Sequence, residues 1–281
     1  MRDKVASGVA WSIAEKVGSM LLQMGVSIVI LRLLTPEQMG IMAIPVVFSS
    51  LALVMVDSGF SQTLIRKAVP SEEDYKSVFV FNIAVSVLLY LLLVGAMPWI
   101  ARFYGMPELV RIAPVLFLLV PLNALCVIQN TIFTRQFRFA RLSKVVFTSS
   151  LVSGLVAIGM AWAGCGIWSL VGQRVVAMGG RGMLVSDWRR RSAFDAGLLR
   201  AMAPYSFRLL ATDLISSVYN NVSQLFVGKL YAADVLGFFN QAQKLKELPV
   251  TSTMQAVQSV TFPALSKIAD DERKFAESYR P

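Results

Sequence analysis

The chain alternates long apolar stretches with short polar turns. Eight of the stretches approach or exceed the roughly 20 residues that a helix needs to cross the core of a bilayer. These predicted spans cover residues 9–32, 41–64, 78–100, 111–133, 143–163, 167–187, 203–229 and 237–261. Because backbone in contact with lipid must satisfy its own hydrogen bonds, the spans are expected to be helices. The pattern therefore predicts an all-α integral membrane protein, built as a polytopic helix bundle.

One polar turn separates the first two spans, in the stretch LRLLTPEQMGIMAIPV from residue 31 to residue 46. Thr35 followed by Pro36 predicts a helix N-cap and the first residue of a new helix. Glu37 then stands in the first turn, where the helix dipole favours a negative charge. The turn is predicted to restart a helix at the membrane surface.

A similar turn recurs 197 residues later, where GKLYAADVLGFFN from Gly228 matches LRLLTPEQMGIMA from Leu31. Equivalent positions share basic, aliphatic, acidic or glycine character: Arg32 with Lys229, Leu33 with Leu230, Glu37 with Asp234, and Gly40 with Gly237. Six spans separate the two turns, an even number, so the repeats are expected to be parallel and related by an axis along the membrane normal. We predict a six-helix N-terminal bundle in residues 1–200 and the first two helices of a second, incomplete bundle in residues 201–281. We expect that a complete protein has further helices after residue 281.

Composition and charge agree with a membrane protein. Hydrophobic residues make up 56% of the chain and charged residues 16%, against about 45–50% and 25% in soluble domains. The net charge is +10, with thirteen lysines and arginines at the N-terminus or in connections on its side of the membrane and four on the other side. The positive-inside rule then predicts a cytoplasmic N-terminus. Nucleic-acid binding is not expected, because the basic residues are dispersed among short loops.

The chain lacks histidine, and its two cysteines, Cys126 and Cys165, lie in apolar runs. These facts exclude a Ser-His-Asp triad, a histidine-ligated metal and a cysteine-rich zinc site. The cysteines are interpreted as reduced packing residues, with a disulfide between distant helices as the alternative. No metal or cofactor is expected. A membrane enzyme such as a polymerase is disfavoured because every connection is short.

Ionisable residues inside membrane spans are costly and are candidates for function. Arg174 and Arg181 are seven residues apart, so they share a helix face, and the neighbouring glycines Gly172, Gly179, Gly180 and Gly182 allow other helices to approach closely. Two such arginines can hold a phosphate. The alternative is that Arg181 merely continues the basic loop that contains Arg189.

A polar stripe marks the seventh span, where Asp213, Asn220 and Gln224 share one face. It is interpreted either as the wall of a substrate cavity or as hydrogen-bonding groups that join helices. Gln23 of the first span aligns with Asn220 at the offset of 197 residues, which suggests a central cavity shared by the repeats.

Three further ionisable residues are candidates. Glu15 and Lys16 in the first span are adjacent, so they cannot simply pair; they either face a cavity or extend to the cytoplasmic surface. Asp57, late in the second span, either caps a break at Gly59 or faces a cavity.

Several segments together carry a family resemblance: VASGVAWSIAEKVGSMLLQMGVSIVILRLLTPEQMGIMAIPVVF, DSGFSQTLIRK, IARFYGMPEL, RQFRFARLSKV, GIWSLVGQRVV, and LLRAMAPYSFRLLATDLISSVYNNVSQLFVGKLYAADVLGFFNQAQKL. In these the chain resembles the Wzx-type polysaccharide flippases of the multidrug/oligosaccharidyl-lipid/polysaccharide exporter superfamily. The resemblance implies 12 to 14 helices in two six-helix bundles that rock around a central cavity in a bacterial inner membrane. On this resemblance, we expect residues 201–281 to contain only the start of the second bundle.

The resemblance implies a transporter that flips an undecaprenyl-diphosphate-linked oligosaccharide to the outer leaflet by alternating access, for lipopolysaccharide, exopolysaccharide or capsule synthesis. Its partners would be that lipid-linked oligosaccharide, membrane lipids and a coupling cation, Na⁺ or H⁺. The alternatives are a cation-coupled exporter of small molecules from the same superfamily and an inactive truncated product. The sugar and the oligomeric state stay open.

Overall fold

The computed structural model describes residues 2–57, 60–66, 70–136, 139–184 and 195–246. Helices account for nearly all of these residues, and the described part of the chain contains no strand. The helices are α1 (Arg2–Leu33), α2 (Pro36–Asp57), α3 (Phe60–Arg66), α4 (Glu72–Tyr104), α5 (Leu109–Phe117), α6 (Leu119–Arg135), α7 (Phe139–Trp162), α8 (Trp168–Leu184) and α9 (Ala196–Leu230), followed by helical residues 233–246. The prediction of an all-α protein is confirmed.

Helix boundaries follow local sequence signals. Thr35 caps α2 as predicted: its Oγ1 accepts a hydrogen bond from the backbone N–H of Gln38 at 3.4 Å, while Gln38 Oε1 accepts from the Thr35 N–H at 3.4 Å. Ser71 and Asp74 form the same reciprocal box at the start of α4. Both caps satisfy backbone donors that a helix start leaves without partners.

One predicted span is divided. Residues 111–133 were expected to form a single helix, but the chain has α5 and α6 with a break at Leu118. Pro121 explains the break: it has no N–H, and its ring clashes with the carbonyl four residues earlier, at Phe117, where α5 ends. The predicted second span, 41–64, contains most of α2 and all but the last two residues of α3, and residues 58–59 between them, where a break at Gly59 was considered, lie outside the described residues.

On α4, four polar side chains are buried while several leucines are exposed. Asp74, Ser77, Asn82 and Ser86 are fully buried, whereas the leucines Leu88, Leu91 and Leu92 are each about 60% exposed. This arrangement is the reverse of a soluble helix and suits contact with lipid.

Four described stretches are long and apolar enough to cross a membrane: Pro36–Asp57, Glu72–Tyr104, Leu109–Phe133 and Arg141–Trp162. A shorter apolar helix covers Gly18–Leu33. The chain is thus a multi-pass membrane protein. Membrane crossing by α8, by α9 and by residues 237–261, of which the structure describes only 237–246, stays a prediction.

Helix packing forms two connected groups. In the first, α7 packs against α1 and α8, and Gly154 permits the contact with α1 because a Cβ there would lie 2.7 Å from Val26 Cγ2. In the second, α2, α4, α5 and α6 surround the largest core cluster, which includes Ile44, Met97 and Phe117. α9 packs against α2, α3 and α4.

The two similar turns have the same local structure. α1 ends at Leu33 and α9 at Leu230, 197 residues apart. The hydrogen bond from Leu34 N to Ile30 O (2.9 Å) has an equivalent from Tyr231 N to Val227 O (3.0 Å). The hydrogen bond from Met39 N to Thr35 O (3.3 Å) is matched by an equivalent bond from Leu236 N to Ala232 O (3.2 Å). The end of the bundle that carries both turns is called the turn end below.

The chain divides into a compact unit of residues 1–238 and a second unit of residues 239–281. In the second unit the structure describes residues 239–246, which are helical. The predicted division at residue 200 into two bundles stays a prediction.

Candidate functional site

Asp57 lies at the last position of α2, close to two polar groups on other helices. Its Oδ1 accepts a hydrogen bond from Nδ2 of Asn123 on α6, at 3.3 Å. Asp213 on α9 lies within electrostatic range of the same carboxylate. Asp57 is exposed. The structure thus brings together Asp57 and Asp213, which were predicted separately.

The polar stripe of α9 lies on one continuous helix. Because α9 is unbroken from Ala196 to Leu230, Asp213, Asn220 and Gln224 share a side. Asp213 and Asn220 are exposed, and Gln224 is half-buried. The exposed middle of α9 contrasts with its two ends, which pack against α3 and α2: Ser206 hydrogen-bonds Thr63, and Gly228 contacts Ile44. The middle of α9, including Asp213 and Asn220, is therefore left uncovered by the other described helices.

Arg174 lies inside the first group of helices. Its side chain is half-buried, and the surrounding helices desolvate its guanidinium. No hydrogen bond or ion pair joins it to any residue that the structure describes. A desolvated guanidinium without a partner is costly. The position therefore favours an anion from outside the described residues, or water, as its counterpart.

Arg181 follows Arg174 two helical turns later on α8. It lies within electrostatic range of Cys126 on α6. Its Nε is buried and has no hydrogen-bond partner among the described residues. The guanidiniums of Arg174 and Arg181 thus have unused hydrogen-bonding capacity on one face of α8, the donor type that binds phosphate.

The glycines of α8 permit close packing, as predicted for three of the four. A Cβ on Gly172 would lie 2.6 Å from Met160 Sδ, and one on Gly180 would lie 3.1 Å from Ser149 Oγ. A Cβ on Gly182 would lie 3.6 Å from Cys126 Sγ. Gly179 has open space instead. These contacts bring the glycine positions of α8 close to α6 and α7.

Of the candidates on α1, the structure describes the side chain of Gln23 alone. Gln23 is exposed on α1, which packs against α7 and not against the stripe of α9, and Gln23 forms no hydrogen bond within the described part of the chain. Glu15 and Lys16 lie in α1, but their side chains fall outside those that the structure describes.

Both cysteines are free: Cys126 is buried as predicted, whereas Cys165 is exposed and is not a packing residue.

Sequence reasoning missed Asn123. Its signal was an amide in an apolar span, the same signal that identified Asn220. It also missed Lys229 as a contact between helices: Lys229 Nζ donates to the Phe103 carbonyl at 2.5 Å and lies 4.1 Å from the centre of the Phe103 ring. No sequence feature connects α4 and α9 at these positions.

Comparison with known proteins identifies the family. The model of a family described as "Polysaccharide biosynthesis protein" matches residues 29–281. The succinoglycan biosynthesis transport protein of Rhizobium meliloti is 23% identical over 98% of this chain and 56% of its own length. The teichuronic acid biosynthesis protein of Bacillus subtilis is 27% identical over 77% of this chain and 46% of its length. The lipopolysaccharide biosynthesis protein WzxC of Escherichia coli is 23% identical over 99% of this chain and 58% of its own length.

The chain thus spans about half the length of the relatives it matches. No solved structure matches it at a significant level. The apolar helices, the polar residues that they bury and the match over nearly the whole chain agree with one another. The chain belongs to the polysaccharide biosynthesis protein family.

Proposed function

We propose that this protein is a transporter that flips a polyprenyl-diphosphate-linked oligosaccharide from the cytoplasmic to the periplasmic leaflet of a bacterial inner membrane. The main support is the family match, together with one relative named as a biosynthesis transport protein and others named for surface-polymer synthesis. Alternating access between two related bundles is the mechanism, with the N-terminus in the cytoplasm.

The diphosphate is assigned to Arg174 and Arg181. Both guanidiniums retain hydrogen-bonding capacity inside an apolar helix group. A phosphate would supply the negative charge and the acceptors that they lack. The stripe of α9 is assigned to the sugar, because hydroxyl-rich ligands need amide and carboxylate partners. Glu15 and Lys16 remain candidates for the same cavity, whereas the exposed position of Gln23 on α1 does not support its assignment there.

Asp57, Asn123 and Asp213 are assigned to a coupling cation, Na⁺ or H⁺. Two carboxylates within electrostatic range repel each other unless a cation or proton lies between them. This cluster also supports the second candidate function, a cation-coupled exporter of small molecules. In that case the arginines would not affect transport of a cationic substrate.

The test reconstitutes the chain in vesicles with an undecaprenyl-diphosphate oligosaccharide and measures how much substrate reaches the opposite leaflet. Arg174→Gln and Arg181→Gln are each expected to slow flipping by about tenfold or more, because each removes a charge-assisted hydrogen bond. Arg111→Gln is the matched control, since Arg111 is exposed on α5. A folded chain that moves no lipid-linked sugar contradicts the proposal and favours an inactive fragment.

A further inference from the structure

Gly40 and Gly237, which occupy equivalent positions in the sequence repeat, contact each other at the turn end. A Cβ on Gly40 would overlap the carbonyl oxygen of Ala233 and would lie 3.0 Å from the Gly237 nitrogen. A Cβ on Gly237 would overlap the carbonyl oxygen of Pro36 and would lie 3.2 Å from the Gly40 nitrogen. Only residues without a side chain allow the two backbones to approach this closely.

The contact is reciprocal. Pro36 and Ala233, whose carbonyls fill the space beside the glycines, are themselves 197 residues apart, as Gly40 and Gly237 are. Exchanging the two helix starts therefore reproduces the same contact. A local two-fold axis passes between the glycines, as in the self-complementary interface of a symmetric dimer.

Further contacts close the same end of the bundle. A Cβ added to Gly228 on α9 would lie 2.6 Å from Ile44 Cδ1 of α2 and 3.5 Å from Tyr104 Cε1 of α4. Lys229 joins α9 to Phe103 of α4 by a hydrogen bond and a cation–π contact. At the turn end α9 thus packs against α2 and α4, whereas Asp213 and Asn220 in the middle of α9 are exposed.

We propose that the contact between Gly40 and Gly237 is a backbone seal that closes the turn end and that opens during transport. A contact between backbones has no interlocked side chains, so it parts without rotamer changes. Its position on the axis lets both repeats move apart equally. The assignment of opening to transport depends on the proposed function, whereas the seal itself does not.

The test measures access to the middle of α9 from the turn end. The reporter is Ser217→Cys, on the side of α9 that carries Asp213 and Asn220, in a chain with Cys126→Ser and Cys165→Ser. A membrane-impermeant maleimide is added to the turn side of reconstituted vesicles. We expect Gly40→Ala and Gly237→Ala each to accelerate labelling roughly tenfold, because the added methyl group forces the backbones apart.

Matched controls come from other helical glycines. Gly95→Ala in α4 and Gly159→Ala in α7 add a methyl group with nothing within 4 Å of it, and they should leave the labelling rate unchanged. The double variant Gly40→Ala/Gly237→Ala should be labelled at the rate of either single variant, because the first methyl group already opens the contact that the second would strain. The seal proposal is overturned if both single variants are labelled at the control rate. It is also overturned if the double variant accelerates labelling by the product of the two single accelerations.

A second measurement covers variants that do not accumulate in membranes. Glu37→Cys and Asp234→Cys, in the first turns of the two helices, are joined by a cleavable bifunctional maleimide. Cross-linking is expected to abolish residual labelling of the reporter from the turn side, and cleavage should restore it; unchanged labelling overturns the proposal. Labelling needs no substrate, so a chain with a working seal that flips no lipid-linked sugar contradicts the proposed function alone.

Discussion

At the scale of single residues, Asp57 and Arg174 differ in the partners that surround them. Asp57 has a hydrogen-bond donor in Asn123 and a second carboxylate within electrostatic range. Arg174 forms no such bond within the described residues, although the surrounding helices desolvate its guanidinium. In an apolar environment both situations are costly unless a mobile ion or a ligand completes them. The two sites are therefore expected to respond to different ligands, a cation and an anion.

Replacement of Asp57 tests the cation assignment. Asp57→Asn keeps the shape and can still meet Asn123, but it removes the charge that a cation needs. We expect flipping driven by a Na⁺ or H⁺ gradient to fall about tenfold, while flipping without a gradient continues. Asp234→Asn, at an exposed acid of the turn end, is the control. Equal gradient dependence in the Asp57→Asn variant and the parent chain would remove Asp57 from the coupling site.

At the scale of helices, close packing depends on a few glycines. On α7, Gly154 and Gly159 are five residues apart, yet only Gly154 contacts a neighbouring helix, through Val26 of α1. Close approach of this kind is a common basis of helix association in membranes, where apolar side chains gain little by leaving lipid.

A pair of alanine substitutions measures this packing. Gly154→Ala is expected to lower the free energy of unfolding by about 1–3 kcal/mol, because the methyl group meets Val26 Cγ2. Gly159→Ala, with open space around it, should change stability by less than about 0.5 kcal/mol. Unfolding in detergent is the measurement. Adding Val26→Ala to Gly154→Ala should recover part of the loss; a loss that persists in full would assign the effect to another cause.

Helix caps can be tested in the same way. Thr35→Ala removes the acceptor for the Gln38 N–H and is expected to lower the free energy of unfolding by about 1 kcal/mol. Thr148→Ala is the control, because the Thr148 hydroxyl bonds only to carbonyls of its own helix turn. Similar stability for both variants would show that the cap does not hold the start of α2.

The sequence predicts these helices well and their contacts poorly. Apolar length and the Thr35-Pro36 signal are local, so the helices and the cap were predictable. The break at Leu118 was also encoded locally, in Pro121, although the apolar run obscured it. The meeting of Asp57 with Asn123 and Asp213 was not predictable, because it depends on how distant helices pack.

At the scale of the whole molecule, many large apolar and aromatic side chains are exposed, as suits a protein surrounded by lipid. Trp99 and Trp162 are 75% and 78% exposed near the turn end, where aromatic rings suit the membrane interface. The exposed leucines of α4 lie farther from that end. With a cytoplasmic N-terminus, the turn end faces the periplasm.

The native cysteines test this orientation. Cys165, in the exposed turn between α7 and α8, is expected to react with an impermeant maleimide added from the periplasmic side. Cys126 is buried and should stay unlabelled in a chain with Cys165→Ser. Right-side-out vesicles expose the periplasmic side to the reagent, and inverted vesicles expose the cytoplasmic side. Labelling of Cys165 only from the cytoplasmic side would reverse the predicted topology.

The sequence by itself determined the class of protein, the positions of most helices and the repeat, because apolar length, capping residues and a spacing of 197 residues are properties of the chain alone. The tertiary structure decided which polar residues of distant helices lie near one another and that the two similar turns contact each other. In the sequence, Gly40 and Gly237 were only equivalent positions of the repeat. Packing placed them against each other, since two helix starts related by a local axis approach most closely where neither has a side chain.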